Sequence, residues 1–195
     1  MKKLFQSLKI YVIFTVLLGL VYPVAVTIIA QVSMPYQADG SLLMKGGTVV
    51  GSKLIGQNFT DAKYFQGRPS ANNYDGTNSG AENLGPTSKK LMDGTQAMLT
   101  KVRQDNGLSS DAAIPADMVL SSASGLDPHI SPENAALQAA RIAKLRGISL
   151  DEIKMLIKKN TDPDFIGLWG CAGINVLTLN IGLDELSAHN ASTER

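Results

Sequence analysis

The chain has 195 residues, 44% hydrophobic and 18% charged, with a formal net charge of +1. That length suits one domain plus a short extra element, and nothing in the balanced charge suggests the basic face that a nucleic-acid binder normally shows. The single cysteine, Cys171, excludes an internal disulfide and a cysteine-built metal cluster. The expected state of such a lone thiol is burial as a small apolar filler.

The averages hide a gradient. No charged residue lies between Lys9 and Asp39. Residues 10–32, IYVIFTVLLGLVYPVAVTIIAQV, would span about 34 Å as a helix, against a hydrocarbon core of about 30 Å. A cleaved signal peptide would have a shorter apolar run and a small-residue cleavage site. Ala30-Gln-Val-Ser33 makes a poor one, so an uncleaved anchor is expected. Lys2, Lys3 and Lys9 precede the run, and positive charge flanking a first helix stays in the cytoplasm. The expected organisation is therefore a cytoplasmic segment 1–9, a transmembrane helix 10–32 and an extracytoplasmic domain 33–195, periplasmic in a Gram-negative cell. The helix has no acid or base, and intramembrane charges mark ion pathways, so this chain does not line a pore alone. Thr15 and Gly19 have the small-xxx-small spacing that lets another helix approach. Pro23 follows one turn on.

Beyond the membrane, Gly46-Gly47 between two apolar runs predicts a hairpin. Leu54–Phe59 is a short strand or turn. Residues 66–86 read QGRPSANNYDGTNSGAENLGP, a long stretch rich in Gly, Asn, Pro and Ser. Unstructured loops beyond about 12–15 residues are uncommon and tend to be functional, so an ordered binding loop or lid is expected here. Thr87–Asn106 has helical spacing, closed by Gly107. Ile114–Leu120 is a short apolar element. Ser131-Pro132-Glu133 is a helix start, with Gly147 as the stop. Ser149-x-x-Glu152 is a capping box for a second helix. Ile174–Asn180 reads as a strand, and the tail after Asp184 as polar and frayed. The fold class is α+β: one N-terminal transmembrane helix, then a mixed domain of about three helices and two to four short strands.

Local motifs for chemistry are weak. The two helices meeting at Gly147 mimic a helix–turn–helix, but a domain outside the cytoplasm meets no DNA. Gly46-x-x-x-x-Gly51-Ser52-Lys53 reverses the Lys-Ser order that a phosphate-binding loop requires. The Asp-Lys-Thr-Gly sequence that P-type pumps phosphorylate is absent. Ser124, Asp127 and His129 share one turn, whereas a triad needs groups converging from a fold. Asp127-Pro128 is a turn former, and Asp127 is expected to bond its own backbone. The other histidine, His189, lies in the tail, so a metal site is not expected.

Several stretches together carry a family resemblance. They are Gly19-Leu-Val-Tyr22-Pro23 in the helix, Gly51-Ser-Lys-Leu-Ile-Gly-Gln57-Asn-Phe59, Tyr64-Phe65-x-x-Arg68-Pro69-Ser70-Ala71, Ser79-Gly80, Asn83-Leu84-Gly85-Pro86, Ile114-Pro115, Ser122-Ala-Ser-Gly-Leu-Asp127-Pro-His129-Ile-Ser131-Pro and Asn175-Val176-x-x-Leu179-Asn180. In this order, across nearly the whole chain, they resemble the C subunit of the Kdp potassium-transporting P-type ATPase. Ala81-Glu82 and Gly170-Cys-Ala-Gly173 depart from the family pattern. The resemblance implies a non-catalytic accessory subunit of a high-affinity, ATP-driven potassium uptake complex in the bacterial inner membrane. Its implied partners are a channel-like potassium-translocating subunit and the P-type ATPase subunit, besides the lipid bilayer. ATP enters only through the ATPase subunit, and potassium is the complex's transported ion. The family is described as a catalytic chaperone that raises the ATP affinity of the ATPase subunit. Three alternatives stand beside this: a cap over the external mouth of the channel-like subunit, an anchored binding module without a pump, and an anchored hydrolase using Ser124, Asp127 or His129. The candidate partner-contact residues are Thr15, Gly19, Pro23, Gln57, Arg68, Pro69, Asn83, Asp127 and His129.

Overall fold

The computed structural model describes residues 1–163 and 170–193. The chain divides into two compact units, Met1–Ser52 and Lys53–Arg195.

The first unit is a helix followed by a hairpin. Helix α1 (Lys2–Val16), a π turn (Leu17–Val21) and helix α2 (Tyr22–Ser33) run on without a break. Together they give 32 helical residues, none buried, with a mean hydropathy of 2.5 in their most apolar window. This is the one helix among the described residues long and apolar enough to cross a membrane. The π turn has a local cause. Pro23 has no N–H, and its ring presses on the carbonyl four residues back, at Gly19. The turn widens before it, and the Tyr22 N–H donates to the Leu17 carbonyl, five residues back. A short helix α3 (Pro35–Ala38) leads into strands β1 (Leu42–Lys45) and β2 (Thr48–Ser52). Gly46 and Gly47, at φ 58° and 80°, form the expected hairpin turn; a two-residue turn matching strand twist needs positive φ at both positions. A bulge falls between Leu43 and Met44.

The second unit begins with irregular chain up to helix α4 (Lys89–Asn106). Ser88 caps this helix by accepting from the Leu91 N–H, and Gly107 ends it at φ 63°. A 3₁₀ turn spans Ala116–Met118, and strand β3 is His129–Ile130. Helices α5 (Pro132–Arg146) and α6 (Leu150–Lys159) have the expected boundaries, the first capped by Ser131 and the second by the reciprocal Ser149–Glu152 box. Strand β4 is Thr161–Asp162 and β5 is Gly173–Asn175. They form an antiparallel sheet of order β3-β5-β4, with Ile174 facing Ile130 on one side and Thr161 on the other. Helix α7 (Val176–Thr193) closes the fold.

The end of the chain differs from expectation. The apolar run Ile174–Asn180 is a strand only to Asn175, and helix α7 takes over from Val176. A short apolar run cannot distinguish a buried strand from a buried helix by periodicity. The local signal was Asn175, whose Oδ1 accepts from the Thr178 N–H at 3.2 Å as an N-cap does. The segment after Asp184 is helical as far as Thr193, so the domain has four helices of ten residues or more among the described residues, not three. Leu54–Phe59 forms a turn without a strand. Cys171 is exposed rather than buried, because the chain enters the core only at Ile174, which has no solvent exposure.

The core of this unit gathers Phe65, Ile130, Ala135, Ala139, Ile142, Ile153, Ile174, Leu179 and Leu183. They come from α5, α6, α7, the sheet and one residue of the irregular segment. Fully burying a side chain of this size stabilises by about 1.5–3 kcal/mol, so Phe65 anchors a segment that has no secondary structure of its own.

Candidate functional site

Two buried carboxamides fix the irregular segment. Asn180 on α7 accepts from the Phe65 N–H through Oδ1 and donates from Nδ2 to the Phe65 carbonyl, both at 2.9 Å. Gln138 on α5 does the same for Gln66, at 2.8 and 3.0 Å. Each side chain imitates a strand partner and satisfies a main chain that would otherwise be buried unpaired. Arg141 adds donors to the Ala62 and Tyr64 carbonyls and to Gln138 and Asn106. Burial lowers the pKa of this guanidinium.

From this base the chain presents Arg68. Its Nη1 meets Asp127 Oδ2 at 2.9 Å, while Asp127 Oδ1 accepts from the His129 N–H at 3.0 Å. Asp127 thus makes the local backbone bond expected of it and also carries the ion pair to the long loop. Tyr74 folds under the pair and donates to the Arg68 carbonyl. Burial, and then the negative charge of Asp127, raise the Tyr74 pKa, with Arg68 opposing. Residues 70–80 are pinned in turn. Ser70 Oγ donates to the Gly125 carbonyl at 2.7 Å, and the Gly80 N–H to the Ser124 carbonyl at 2.8 Å. The loop is ordered by these bonds, not by apolar burial.

Beside the ion pair lies a groove of about 940 Å³, lined among others by Arg68, Asp127, His129, Ile114, Leu137 and Asp162. Its floor is held by Asp117, whose carboxylate accepts from the Ser131 N–H at 2.8 Å, the Ser131 hydroxyl at 3.1 Å and Asn134 Nδ2 at 3.0 Å.

The structure thus brings Arg68, Asp127 and His129 together. Pro69 sits next to them, its carbonyl accepting from the Ser122 N–H. Gln57 lies near the far side of Asp127, around Tyr74 and Pro128. Asn83 stands apart on the exposed end of the loop, in a left-handed conformation at φ 51°. Thr15, Gly19 and Pro23 belong to the first unit and are all exposed. Ser124, Asp127 and His129 show no relay: Ser124 Oγ accepts from the Leu126 N–H at 3.1 Å, and the His129 imidazole stands 3.8 Å from Asp127. Sequence reasoning missed Asp117, Asn134, Gln138, Asn180, Tyr74 and Arg141. A signal existed for two of them. Asn134 and Gln138 are four apart on the same helix face as Ala135, Ala139 and Ile142, where amides are out of place unless they are bonded.

A single membrane-length apolar helix preceding an α+β domain, whose long loop is held by buried amides and the Arg68–Asp127 ion pair, defines a class of α+β proteins with one N-terminal apolar helix. Known proteins refine it. A family model described as KdpC, the K+-transporting ATPase c chain, matches residues 4–185. A potassium-transporting ATPase KdpC subunit of Polaromonas naphthalenivorans is 46% identical over 189 residues, covering 95% of each chain. One of Mycobacterium bovis (strain BCG / Pasteur 1173P2) is 45% identical, over 95% of this chain and 99% of the relative. One of Caldanaerobacter subterraneus is also 45% identical, over 94% and 96%. The chain belongs to the KdpC family.

Proposed function

We propose that this chain is a non-catalytic, membrane-anchored accessory subunit of a potassium-transporting ATPase. The observation that carries the reading is the helix Lys2–Ser33, uncharged and mostly apolar from Ile10 onward and with no residue buried, in a chain whose relatives are named as subunits of that pump. A helix that buries no residue among the described residues is satisfied by lipid and by other helices. Residues 1–9 lie in the cytoplasm of a bacterial cell, helix 10–32 crosses the inner membrane, and residues 33–195 stand outside. Lys2, Lys3 and Lys9, with no acid among them, support that orientation. Thr15, Gly19 and Pro23 supply the close-approach face toward a helix of the channel-like or ATPase subunit.

ATP binds the ATPase subunit on the cytoplasmic side, whereas the body of this chain lies outside. An effect on ATP affinity therefore acts by linkage: this subunit binds one conformation of the pump better, and nucleotide affinity follows. A second reading is favoured by the loop 66–86, which is irregular yet held by hydrogen bonds to residues 122–127. Such a loop presents fixed amide and carbonyl groups, as a cap over the external mouth of the channel-like subunit requires.

The test is co-expression with the channel-like and ATPase subunits, purification by a tag on this chain, and potassium-stimulated ATP hydrolysis with and without it. Co-purification with loss of hydrolysis in its absence supports the accessory reading. A change in apparent ATP affinity then favours linkage, and a change in apparent potassium affinity favours the cap. Purification of this chain alone, with hydrolysis indifferent to it, overturns both.

A further inference from the structure

The hairpin β1–β2 has an apolar face left about half exposed. Leu42, Met44 and Val49 are 42, 59 and 48% exposed. Met44 pairs with Val49 across the ladder, and Leu42 lies two residues from Met44. The bulge puts its extra residue on β2, where Val50 falls between the partners of Leu43 and Met44, so β1 keeps its alternation from Leu42 to Met44 and the three side chains form one patch. Tyr36 and Met34, just before the hairpin, are also about half exposed.

The hairpin is tied to the end of the apolar helix. Gln31 Nε2 donates to Asp39 Oδ1 at 3.1 Å, although eight residues separate them. The Ser41 N–H donates to the Tyr36 carbonyl at 2.9 Å, and Tyr36 Oη to the Ser41 carbonyl at 3.2 Å. The Ser52 hydroxyl donates to the Gly40 carbonyl at 2.7 Å, which closes the second strand onto the same turn. The chain therefore doubles back on the helix end.

Depth follows from helix geometry. Counting from Ile10, the first residue past the lysines, about 20 residues cross the hydrocarbon core, which places its outer limit near Ile29–Ala30. Gln31 is the first polar side chain beyond, and its bond to Asp39 holds the root of the hairpin at that level. Headgroup zones add about 5–8 Å on each side, and a four-residue strand is about 13 Å long. A patch of that size rooted in the headgroup zone removes its apolar area from water by lying against the bilayer.

We propose that the Leu42/Met44/Val49 face of the hairpin rests in the outer headgroup region of the bilayer as a shallow second membrane contact. It rests on the reading of the helix as a membrane span. Such a foot restricts the tilt and rotation of the helix end from which the rest of the chain continues.

The experiment uses the full chain with Cys171→Ser as background, in phosphatidylcholine–phosphatidylglycerol vesicles. An environment-sensitive label is placed by Met44→Cys and, independently, by Val49→Cys. Gly19→Cys reports the middle of the helix, and Lys154→Cys the exposed face of α6. Quenching is read with headgroup-level spin-labelled lipid, deep brominated lipid and aqueous iodide. The expected result is strong headgroup-level quenching at Met44→Cys and Val49→Cys, with iodide quenching several-fold below Lys154→Cys, and deep-lipid quenching at Gly19→Cys. Iodide-accessible hairpin labels beside a lipid-quenched Gly19→Cys overturn this inference and leave the anchor standing. An iodide-accessible Gly19→Cys overturns the anchor, and the inference with it. Hairpin labels shielded only after assembly with the channel-like and ATPase subunits assign the face to a protein partner and overturn the lipid contact.

Discussion

The carboxamide of Asn180 makes both hydrogen bonds to the main chain of Phe65, 115 residues earlier, at 2.9 Å each. Both residues are buried, Phe65 with no exposure and Asn180 at 2%. Gln138 repeats the device on the next residue. These clamps turn an irregular segment into a fixed platform from which Arg68 reaches Asp127.

Asn180→Ala leaves a buried N–H and a buried carbonyl unpaired. The expected loss is about 2–4 kcal/mol of stability, read as a lower urea midpoint of the full chain in detergent. Asn180→Asp keeps the acceptor for the Phe65 N–H but loses the donor to its carbonyl, so it is expected to be destabilised too. A wild-type midpoint for Asn180→Ala would show that the clamp contributes nothing.

The Arg68–Asp127 pair is about one quarter exposed on each side. Arg68→Ala is expected to cost about 1–3 kcal/mol and to lower the stability of the pump complex or its apparent potassium affinity. Double-mutant cycles with Asp127→Asn measure the coupling. A coupling near zero, with pump behaviour unchanged, makes Arg68 ordinary surface.

Two glycines predict opposite outcomes. A Cβ on Gly56 would stand 2.6 Å from the Asp127 carbonyl oxygen and 3.0 Å from the Tyr74 ring. Gly56→Ala is therefore expected to destabilise by about 1–3 kcal/mol. Gly94, inside α4, has nothing within 4 Å of such a Cβ. Gly94→Ala is expected to stabilise by up to about 1 kcal/mol, because Ala restricts the unfolded chain and favours helix. Thermal melts of the two variants side by side check the contrast.

Glu152 links acidity to the helix start. Hydrogen bonds from the Ser149 hydroxyl, then Asn190, then the Ser149 N–H hold its pKa below the ordinary glutamate range. A carboxylate depressed in the folded state contributes stability that is full above its unfolded pKa and lost as pH falls through the folded one. The wild type should thus lose more stability on acidification below the ordinary glutamate range than Glu152→Gln, whose side chain does not titrate. Parallel loss in both chains would show that the capping box carries no protonation linkage.

The sequence by itself determined the membrane-length helix, the hairpin turn at Gly46-Gly47, and the α4, α5 and α6 boundaries. It also brought the pattern of short motifs that resembles one family of pump subunits. Each of these rests on local physics: an apolar run longer than the hydrocarbon core, glycines at positive φ, and a hydroxyl before an orphan N–H. The start of α7 was equally local, at Asn175, but the apolar run Ile174–Asn180 fits a buried strand as well as a buried helix, and packing chose between them. Only the tertiary structure decided that Asn180 and Gln138 clamp Phe65 and Gln66, that Asp127 is the group Arg68 bonds, and that Cys171 stays in solvent. The clamps and the ion pair depend on partners 59 to 115 residues apart. A buried amide takes its meaning from the group it bonds, and no spacing along the chain states which group that is.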